Sequence, residues 1–480
     1  MTKLCMQLAA ALLLLGSPGV AQHAAARIAS DIAPQVLGGW VTAVPPKPAA
    51  LKTITLGKLN FTACSLPGLT DPFSQEEVIE PVEAYCSSLQ VPENRDRPDG
   101  RKIDLKIAWV PPLGTDAVRP DPVFMLAGGP GQSAIESFSI GAAEFEPARE
   151  HRGVVLVDQR GTGGSGKLHC PDEGALMGVS SVPDDTYLAA ARRCARQLSE
   201  KADLRFYTTA EAVDDLEAVR QAMGLGQINL LGISYGTRVA QQYARRFPQH
   251  VRTLVLDSPL PDTRGFGDVN AAVVEGSMTR LFSLCQKDAA CRQRLGDPKS
   301  RLDKVMRRLK KSPVDTEYLE ISTNTWKKMR FDEMSMASLV ALFAYGPETA
   351  AMLPATIALA DKGEFHVLAT QVMALNDMLN RMIASGLYLS VMCSEDHESL
   401  NRVGAGKDFL LVNRSHRQNA ELCRHWPRGG RGLELKTPLP ANMPVITISG
   451  EFDPVIPTHF GDEVVRGLTN ARAFLLKGQA

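Results

Sequence analysis

A serine between two glycines is the residue of this sequence whose setting best suits nucleophilic chemistry. It is Ser234, in the stretch GISYG at residues 232–236. The apolar run INLLG precedes the motif and the helical pattern TRVAQQYARRF follows it, so the serine falls at a joint between a strand and a helix. Such a turn strains the serine backbone and exposes the hydroxyl, while the glycines let strand and helix approach closely. An ordinary serine in a tight turn is the alternative interpretation.

A serine hydroxyl needs partners before it can attack a substrate. A histidine must take its proton, and a carboxylate must orient that histidine. When the nucleophile lies on a strand-to-helix turn, the chain order is serine, acid, histidine. The strand pattern MPVITIS is followed by GEFDP, which makes Asp453 the predicted acid, with Glu451 as its competitor and an ordinary loop acid as the alternative.

Two backbone N–H groups must also face the charge that develops on the attacked carbonyl oxygen. The residue after the nucleophile, Tyr235, supplies the first of them. The stretch PVFMLAGGPGQS offers Gly128 and Gly129 for the second, because glycine lets the backbone approach a substrate. A plain glycine turn is the alternative for this stretch.

A second glycine-rich loop, GTGGSGKL at residues 161–168, follows the buried-strand pattern GVVLVD and partly matches two phosphate-binding patterns. A P-loop requires Ser or Thr after Lys167, and that position is Leu168. Both patterns also require a helix here, whereas Pro171 interrupts KLHCPDEG. No C-x-x-C or H-x-x-x-H spacing indicates a metal site. The sequence therefore predicts no cofactor.

The elements that must position these residues alternate between strands and helices. KIDLKIAWV alternates as a strand does, and PVFMLAG, GVVLVD, INLLGI and TLVLDSP are the apolar runs typical of strands buried on both faces. Helical patterns at residues 210–224 and 237–248 lie between them, which predicts an open α/β sheet. Residues 263–434 are helical almost throughout, apart from a strand signal in LYLSVMC. The strands MPVITISG and ARAFLLKG then return, so the helical block is an insertion.

Composition and the N-terminus indicate the class of protein and its destination. Lys plus Arg total 53 and Asp plus Glu total 53, so no net charge favours nucleic acid or an anionic membrane as a partner. MTKLC, QLAAALLLLG and GVA form the three parts of a secretory signal peptide, with cleavage expected after Ala21. Residues 22–50 are predicted to be a linker. No later apolar segment is long enough to span a membrane.

The cysteines agree with export to an oxidising compartment. Cys5 lies in the predicted signal peptide, and the remaining eight form the even set that disulfides require. Many connectivities are possible, so the pairing stays open. Pairing of sequence neighbours would close only local loops, and buried free thiols are the alternative to disulfides.

The motifs GGPGQS, VDQRGTGGS, YTTAEAVDDLEAVR, GISYGT, LVLDSP and GEFDPVIP occur in this order. Together they resemble the secreted tripeptidyl aminopeptidase-like branch of the α/β-hydrolases, akin to the proline iminopeptidases, from about Cys64 to the last residue. The resemblance implies an α/β-hydrolase fold, a mostly parallel sheet flanked by helices, with a core of residues 51–262 and 435–480 and an inserted helical cap of residues 263–434. It makes Ser234 the nucleophile and Asp453 the triad acid, and it assigns the oxyanion hole to Tyr235 with Gly128 or Gly129.

The activity implied by the resemblance is that of a secreted or periplasmic serine hydrolase that removes residues from peptide N-termini. Such a substrate carries an α-ammonium group, and Glu395 and Asp396, in VMCSEDHE, are predicted to hold it. A solvated acidic turn is the alternative for this pair. A carboxylesterase or lipase acting on small esters is the rival enzyme. A catalytically silent binding protein on the same fold is the third interpretation.

The triad histidine is expected in the loop after the last strand pattern, ARAFLLKG. The resemblance implies a Gly-x-x-His stretch that begins at Gly478, which puts the histidine directly after Ala480. None of the nine histidines present fits this position, and His459, shortly after Asp453, is the alternative base. The expectation is therefore a C-terminally shortened copy of an active enzyme.

Overall fold

The computed structural model describes residues 52–70, 77–114, 118–170, 173–402, 408, 410–430 and 438–479. The predicted signal peptide, residues 1–21, and the predicted linker, residues 22–50, lie outside them. None of the helices within these ranges is both long enough and apolar enough to cross a membrane.

A sheet of ten strands forms the centre of the structure. The strands of the described residues, numbered along the chain, are β1 (Thr53–Leu56), β2 (Leu59–Leu66), β3 (Leu69–Thr70), β4 (Glu77–Ile79), β5 (Val82–Pro92), β6 (Lys102–Val110), β7 (Val123–Leu126), β8 (Val154–Val157), β9 (Ile228–Ile233), β10 (Val251–Asp257), β11 (Val314–Glu320), β12 (Thr325–Phe331), β13 (Val445–Gly450) and β14 (Ala471–Leu476). The order in the sheet is β1-β2-β5-β6-β8-β7-β9-β10-β13-β14. The strands from β8 to β14 in that order are parallel, and those from β1 to β6 are antiparallel.

Helices cover the sheet and form most of the insertion. In chain order they are α1 (Ala134–Phe138), α2 (Glu146–Arg149), α3 (Glu173–Leu176), α4 (Asp184–Ser199), α5 (Thr209–Ala222), α6 (Tyr235–Arg246), α7 (Ala271–Lys287), α8 (Ala289–Leu295), α9 (Pro298–Lys311), α10 (Glu333–Phe343), α11 (Pro347–Lys362), α12 (Phe365–Met382), α13 (Ser385–Val391), α14 (His397–Leu400), α15 (Val412–Cys423) and α16 (His459–Val465). Short 3-10 helices span Ser139–Phe145, Leu204–Phe206, Pro248–His250 and Phe266–Asp268.

The central parallel strands β7, β8 and β9 are largely buried on both faces, as their apolar sequences predict, whereas the edge strand β14 is mostly exposed. All four residues of β8 are buried. Because successive side chains of a strand point to opposite faces, Val155 packs into one hydrophobic cluster with residues of α5 and α6, while Leu156 packs into another with residues of α1. The predicted strands are thus confirmed as β6 to β10, β13 and β14, and the alternating α/β sheet is confirmed with them.

The insertion is mostly helical, as predicted, with two differences. The antiparallel hairpin of β11 and β12 was not predicted, because VDTEYLE and TWKKMRF carry few apolar residues and most of their side chains reach solvent. The strand predicted from LYLSVMC is wrong: this segment forms α13 and then a π-helical turn, Met392–Asp396. A short apolar run that is buried on all sides shows no periodicity, so its sequence does not distinguish a strand from a helix.

Four disulfides link sequence neighbours: Cys64–Cys86, Cys170–Cys194, Cys285–Cys291 and Cys393–Cys423. This is the local pairing that the sequence left open. The last of them joins the π-helical turn to the end of α15. The main hydrophobic cluster of the insertion also takes in Phe452, Ile456 and Phe460, which follow β13. The insertion therefore packs directly against the loop of the predicted acid.

Candidate active site

The candidate residues meet where neighbouring parallel strands end. Strand β9 leads to Ser234, β10 ends at Asp257, and the loop after β13 carries Asp453. Asp257 lies opposite Ile233 of β9 on one side and opposite the end of β13 on the other. Gly128 follows β7, the other neighbour of β9. The carboxyl ends of parallel strands are the usual location of ligand crevices in such sheets. We call this group of residues the Ser234 edge.

Ser234 has a strained backbone. Its φ of 53° and ψ of −118° lie outside the regions that non-glycine residues normally adopt. The surrounding backbone holds it there: its amide donates to the carbonyl of Asp257 at 2.8 Å, and its carbonyl accepts from the amide of Thr237 at 2.9 Å. Its side chain remains partly exposed. Strain of this kind persists where the surroundings impose it, and it is concentrated at functional sites.

The two flanking glycines are required by close backbone contacts. A Cβ on Gly236 would overlap the carbonyl oxygen of Leu126 at the end of β7. A Cβ on Gly232 would lie 2.5 Å from the carbonyl oxygen of Gly236. Strand and helix can therefore pack this closely at Ser234 only because both positions lack a side chain.

The predicted oxyanion-hole residues lie beside Ser234. An ideal Cβ on Gly128 would be 3.3 Å from the Cβ of Ser234, so a side chain at position 128 would crowd the serine. Gly129 has a φ of +108°, a conformation that favours glycine. Tyr235 is the first residue of α6, and the first amides of a helix have no acceptor within it. The structure thus brings Gly128 and the Tyr235 amide to the same side chain.

The glycine-rich loop at residues 161–168 positions the loop that carries Gly128. One oxygen of the Asp158 carboxylate accepts from the Ser133 hydroxyl at 2.5 Å and the Ile135 amide at 3.1 Å. The other oxygen accepts from the amide of Gly164 at 2.8 Å. The glycine-rich loop and the Gly128 loop are therefore joined through one buried carboxylate.

Asp453 is buried, with 7 % of its surface exposed. Its Oδ1 accepts from the amides of Val455 and Ile456 at 2.8 and 2.7 Å. Burial raises the pKa of the Asp453 carboxyl, and hydrogen bonds from these amides and the Ser258 hydroxyl oppose the rise. The competing acid, Glu451, instead accepts from the amide of Gly478 at 2.9 Å.

Asp257 and Ser258 were not identified from the sequence. The Ser258 hydroxyl interacts with the carboxylates of both Asp257 and Asp453. Burial, followed by the charges of Asp453 and Glu144, raises the pKa of Asp257 to about 6. The available signal was LVLDSP itself, in which polar residues end a buried parallel strand, as they do near Asp453.

His459 begins α16 with its side chain exposed, and its ring meets that of Phe460 edge-on. The loop after β14 lies beside the loop of the acid, because the amide of Phe452, next to Asp453, donates to the carbonyl of Gln479 at 2.8 Å. That loop is where the resemblance places the triad histidine.

Glu395 and Asp396 are buried side chains, so they do not form the solvated acidic turn considered as an alternative. Both nitrogens at the end of the Arg238 side chain donate to Asp396, at 2.9 and 3.0 Å. Glu395 accepts from the amide and the hydroxyl of Thr209, at 2.7 and 2.9 Å. We call Thr209, Arg238, Glu395 and Asp396 the cap junction. An ammonium group would have to compete with these partners, and the substrate role of the two acids stays a prediction.

Arg238 lies one helical turn after Ser234 on α6 and has 1 % of its surface exposed. Burial alone would lower the pKa of Arg238, but the charge and hydrogen bonds of Asp396 outweigh it and raise that pKa. Arg238 and Thr209 were not identified from the sequence as partners of the acids. The only signal was an arginine on the helix after the motif, which sequence alone cannot pair with residues so distant.

Two family models match the chain. One, described as the α/β hydrolase fold, matches residues 121–335. The other, described as TAP-like protein, matches residues 410–480. Ser234 falls in the first and Asp453 in the second. The ten-stranded sheet with its flanking helices agrees with the first model.

The chain is also similar to individual proteins. It is 28 % identical over 301 residues to serine protease Hip1 of Mycobacterium tuberculosis, covering 56 % of this chain and 55 % of that protein. It is 29 % identical over 197 residues to the tripeptidyl aminopeptidase of Streptomyces lividans, covering 38 % and 37 %. Carboxylesterase B of Mycobacterium tuberculosis is 30 % identical over 243 residues, covering 47 % and 46 %. The chain thus spans about half the length of the first of these relatives, and less of the other two.

A structural comparison with the proline iminopeptidase of Mycobacterium smegmatis gives a TM-score of 0.38 at 16 % identity, covering 82 % of this chain and 91 % of the other.

Proposed function

We propose that this chain, whose residues 121–335 match the α/β hydrolase fold model, is a serine hydrolase that forms an acyl-enzyme on Ser234. The observation that carries the proposal is the backbone of Ser234, strained at a strand-to-helix turn with Gly128 beside it. A structural serine gains nothing from this conformation, whereas a nucleophile gains an exposed hydroxyl next to free amide donors.

In the proposed reaction the Ser234 hydroxyl attacks a substrate carbonyl and transfers its proton to a histidine. The amide of Tyr235 and an amide of Gly128 or Gly129 stabilise the negative charge on the carbonyl oxygen. Asp453 orients the histidine and stabilises its protonated form, which its burial and directed hydrogen bonds suit it to do. The leaving group takes the proton, and water then releases the acyl group.

A fluorophosphonate probe tests the nucleophile directly. The wild-type protein should be labelled at Ser234, and Ser234→Ala should not be labelled. The matched control is Ser322→Ala, which removes an exposed hydroxyl in the hairpin of the insertion and should leave labelling unchanged. Equal labelling of wild type and Ser234→Ala would exclude the assignment.

The same probe tests the alternative base. His459→Gln should be labelled at the wild-type rate, because the His459 side chain is exposed and its recorded ring contact is with Phe460. Loss of labelling in this variant, with the fold retained, would identify His459 as the base.

We propose peptides as the substrate class, with removal of residues from the N-terminus. Two of the similar proteins are named a serine protease and a tripeptidyl aminopeptidase, and the C-terminal part matches the TAP-like family. The similarity to a carboxylesterase supports small esters as the second candidate. Tripeptidyl- and aminoacyl-nitroanilides should be hydrolysed faster than p-nitrophenyl esters, and an N-acetylated peptide should be a poor substrate. Turnover restricted to the esters would contradict the peptidase proposal.

We also propose that the protein is exported. Four disulfides support this destination, because such bonds persist in oxidising compartments. N-terminal sequencing of the protein recovered outside the cytoplasm should begin at Gln22, and recovery of the intact Met1 end would contradict cleavage after Ala21.

A further inference from the structure

The buried hydroxyl of Tyr235 connects the residue after Ser234 to the cap junction. Tyr235 has 1 % of its surface exposed. Its hydroxyl lies 2.7 Å from the hydroxyl of Thr209 and 3.3 Å from Nε2 of Gln159. A buried hydroxyl in this position needs partners, and it has one on each side.

The direction of each hydrogen bond in this series follows from Glu395, the acid at its end. The Thr209 hydroxyl donates its single proton to an oxygen of the Glu395 carboxyl group. Thr209 then accepts from the Tyr235 hydroxyl, which in turn accepts from the Gln159 amide. Arg238 donates to Asp396, and its Nη1 lies 3.4 Å from Oε2 of Glu395, the same oxygen that accepts from the Thr209 hydroxyl. Each hydroxyl in the chain therefore has both a donor and an acceptor.

This series of hydrogen bonds ends at Tyr235, whose peptide bond with Ser234 must be correctly oriented for the proposed reaction. The ψ angle of Ser234 sets the direction of the Tyr235 amide, and that angle has a strained value of −118°. Strain persists only where several contacts impose it. The backbone bonds of Ser234 restrain one side of the peptide, and the Tyr235 side chain, tethered through Thr209, restrains the other.

We infer that the Tyr235 side chain is a positioning residue for the oxyanion hole, held by a hydrogen-bond chain from Glu395 through Thr209. The inference rests on the proposed function, in which the Tyr235 amide binds the oxyanion. Glu395 belongs to the insertion and lies in the same turn as Cys393, which is bonded to Cys423. The insertion is therefore linked to the Ser234 edge through Glu395 and Thr209.

Tyr235→Phe removes only the hydroxyl and tests the inference most directly. We expect kcat to fall about tenfold and KM to change by no more than about twofold. A displaced Tyr235 amide would still stabilise the oxyanion in part, so the loss should be smaller than that from removing the donor altogether. The affinity for a boronic acid, which forms a tetrahedral adduct on the serine, should weaken by a similar factor, since it reports the same donors.

Tyr187→Phe is the matched control. Tyr187 is also buried, and its hydroxyl donates to Oδ1 of Asn419 at 2.5 Å. This hydrogen bond joins α4 to α15 of the insertion and involves no residue of the Ser234 edge. Its loss should leave kcat and the boronic acid affinity unchanged.

Thr209→Val should reproduce the loss of kcat seen in Tyr235→Phe, and Thr209→Ser, which keeps the hydroxyl, should retain most of the wild-type kcat.

The outcomes separate this inference from the proposed function. If wild type and Ser234→Ala react equally with fluorophosphonate, the proposed function fails and the inference fails with it. If only wild type reacts, but Tyr235→Phe and Tyr187→Phe have equal kcat and boronic acid affinity, the inference alone is overturned.

Glu395→Gln should lower kcat alike for substrates with a free N-terminal amine and for N-acetylated substrates. A rise in KM for free-amine substrates only would instead make Glu395 an ammonium-binding residue and overturn the positioning role.

Discussion

Backbone geometry holds Ser234 in place, whereas pairs of side chains hold the cap junction together. At the Ser234 edge, strand ends in register and two glycines leave the serine one conformation. At the cap junction, Arg238 of the core helix binds Asp396 of the insertion, 158 positions away in the chain. The packing of the Ser234 edge depends on two positions without side chains, and the cap junction depends on the pairing of buried opposite charges.

The two regions also differ in how their acids are neutralised. The acids of the cap junction face a guanidinium group. Asp257, at the Ser234 edge, faces the carboxylates of Asp453 and Glu144 and the hydroxyl of Ser258. Steric change should therefore be most damaging at the Ser234 edge, and charge change at the cap junction.

The largest effect is expected from Gly236→Ala. The new Cβ would overlap a backbone carbonyl oxygen, which cannot rotate away as a side chain can. We expect a loss of about 5 kcal/mol or more in the free energy of unfolding, measured by urea denaturation, or failure to fold. Gly226→Ala is the control, because a Cβ there meets no atom within 4 Å and should change stability by about 0.5 kcal/mol or less. Similar stability of the two variants would refute the steric account.

A smaller effect is expected from Arg238→Met at the cap junction. It leaves two buried carboxylates without their cation, and breaking a buried pair in this way costs about 3–5 kcal/mol. Adding Asp396→Asn to the same chain should recover part of the loss in urea denaturation, because it removes one uncompensated charge.

Arg381→Gln is the control for the cap junction. Arg381 pairs with Asp377 on the surface, where their side chains are 67 % and 57 % exposed, and such pairs contribute about 0.5 kcal/mol. If Arg238→Met costs no more than this control, charge compensation does not hold the junction.

The smallest effect is expected from Asp257→Asn and depends on pH. The folded protein holds the pKa of Asp257 at about 6, above its usual value of 3.8, so folding favours the protonated form. The contribution of the Asp257 carboxyl to stability should therefore fall as pH rises from about 4 to about 6, by at most about 3 kcal/mol, since a tenfold change in proton affinity is worth about 1.4 kcal/mol.

Asp257→Asn removes this penalty, so the variant should match wild type near pH 3.5 and exceed it above pH 7. Urea denaturation across this pH range measures the difference. The exposed Asp99→Asn provides the control. A constant difference between Asp257→Asn and wild type at every pH would show that the carboxylate is not destabilised by its neighbours.

The sequence was most informative where structure is local. The strand-to-helix turn at Ser234 can be recognised because the glycines, the apolar run and the helical pattern are contiguous, and each acts within a few residues. Asp453 could be predicted for the same reason, from its place after a strand pattern. LYLSVMC could not be assigned, because a buried helix and a buried strand share one composition and only their neighbours distinguish them.

Periodicity, backbone sterics and counting suffice to predict the alternating sheet, the turn at Ser234 and the even number of cysteines after Cys5. The folded molecule is needed to show which cysteines pair, that Asp257 lies between the strands leading to Ser234 and Asp453, and that Arg238 binds Asp396. Sequence cannot give these contacts, because a buried side chain pairs with the charge that lies next to it in space. Residues 238 and 396 carry no local signal of their meeting, which exists only after the insertion has folded against the sheet.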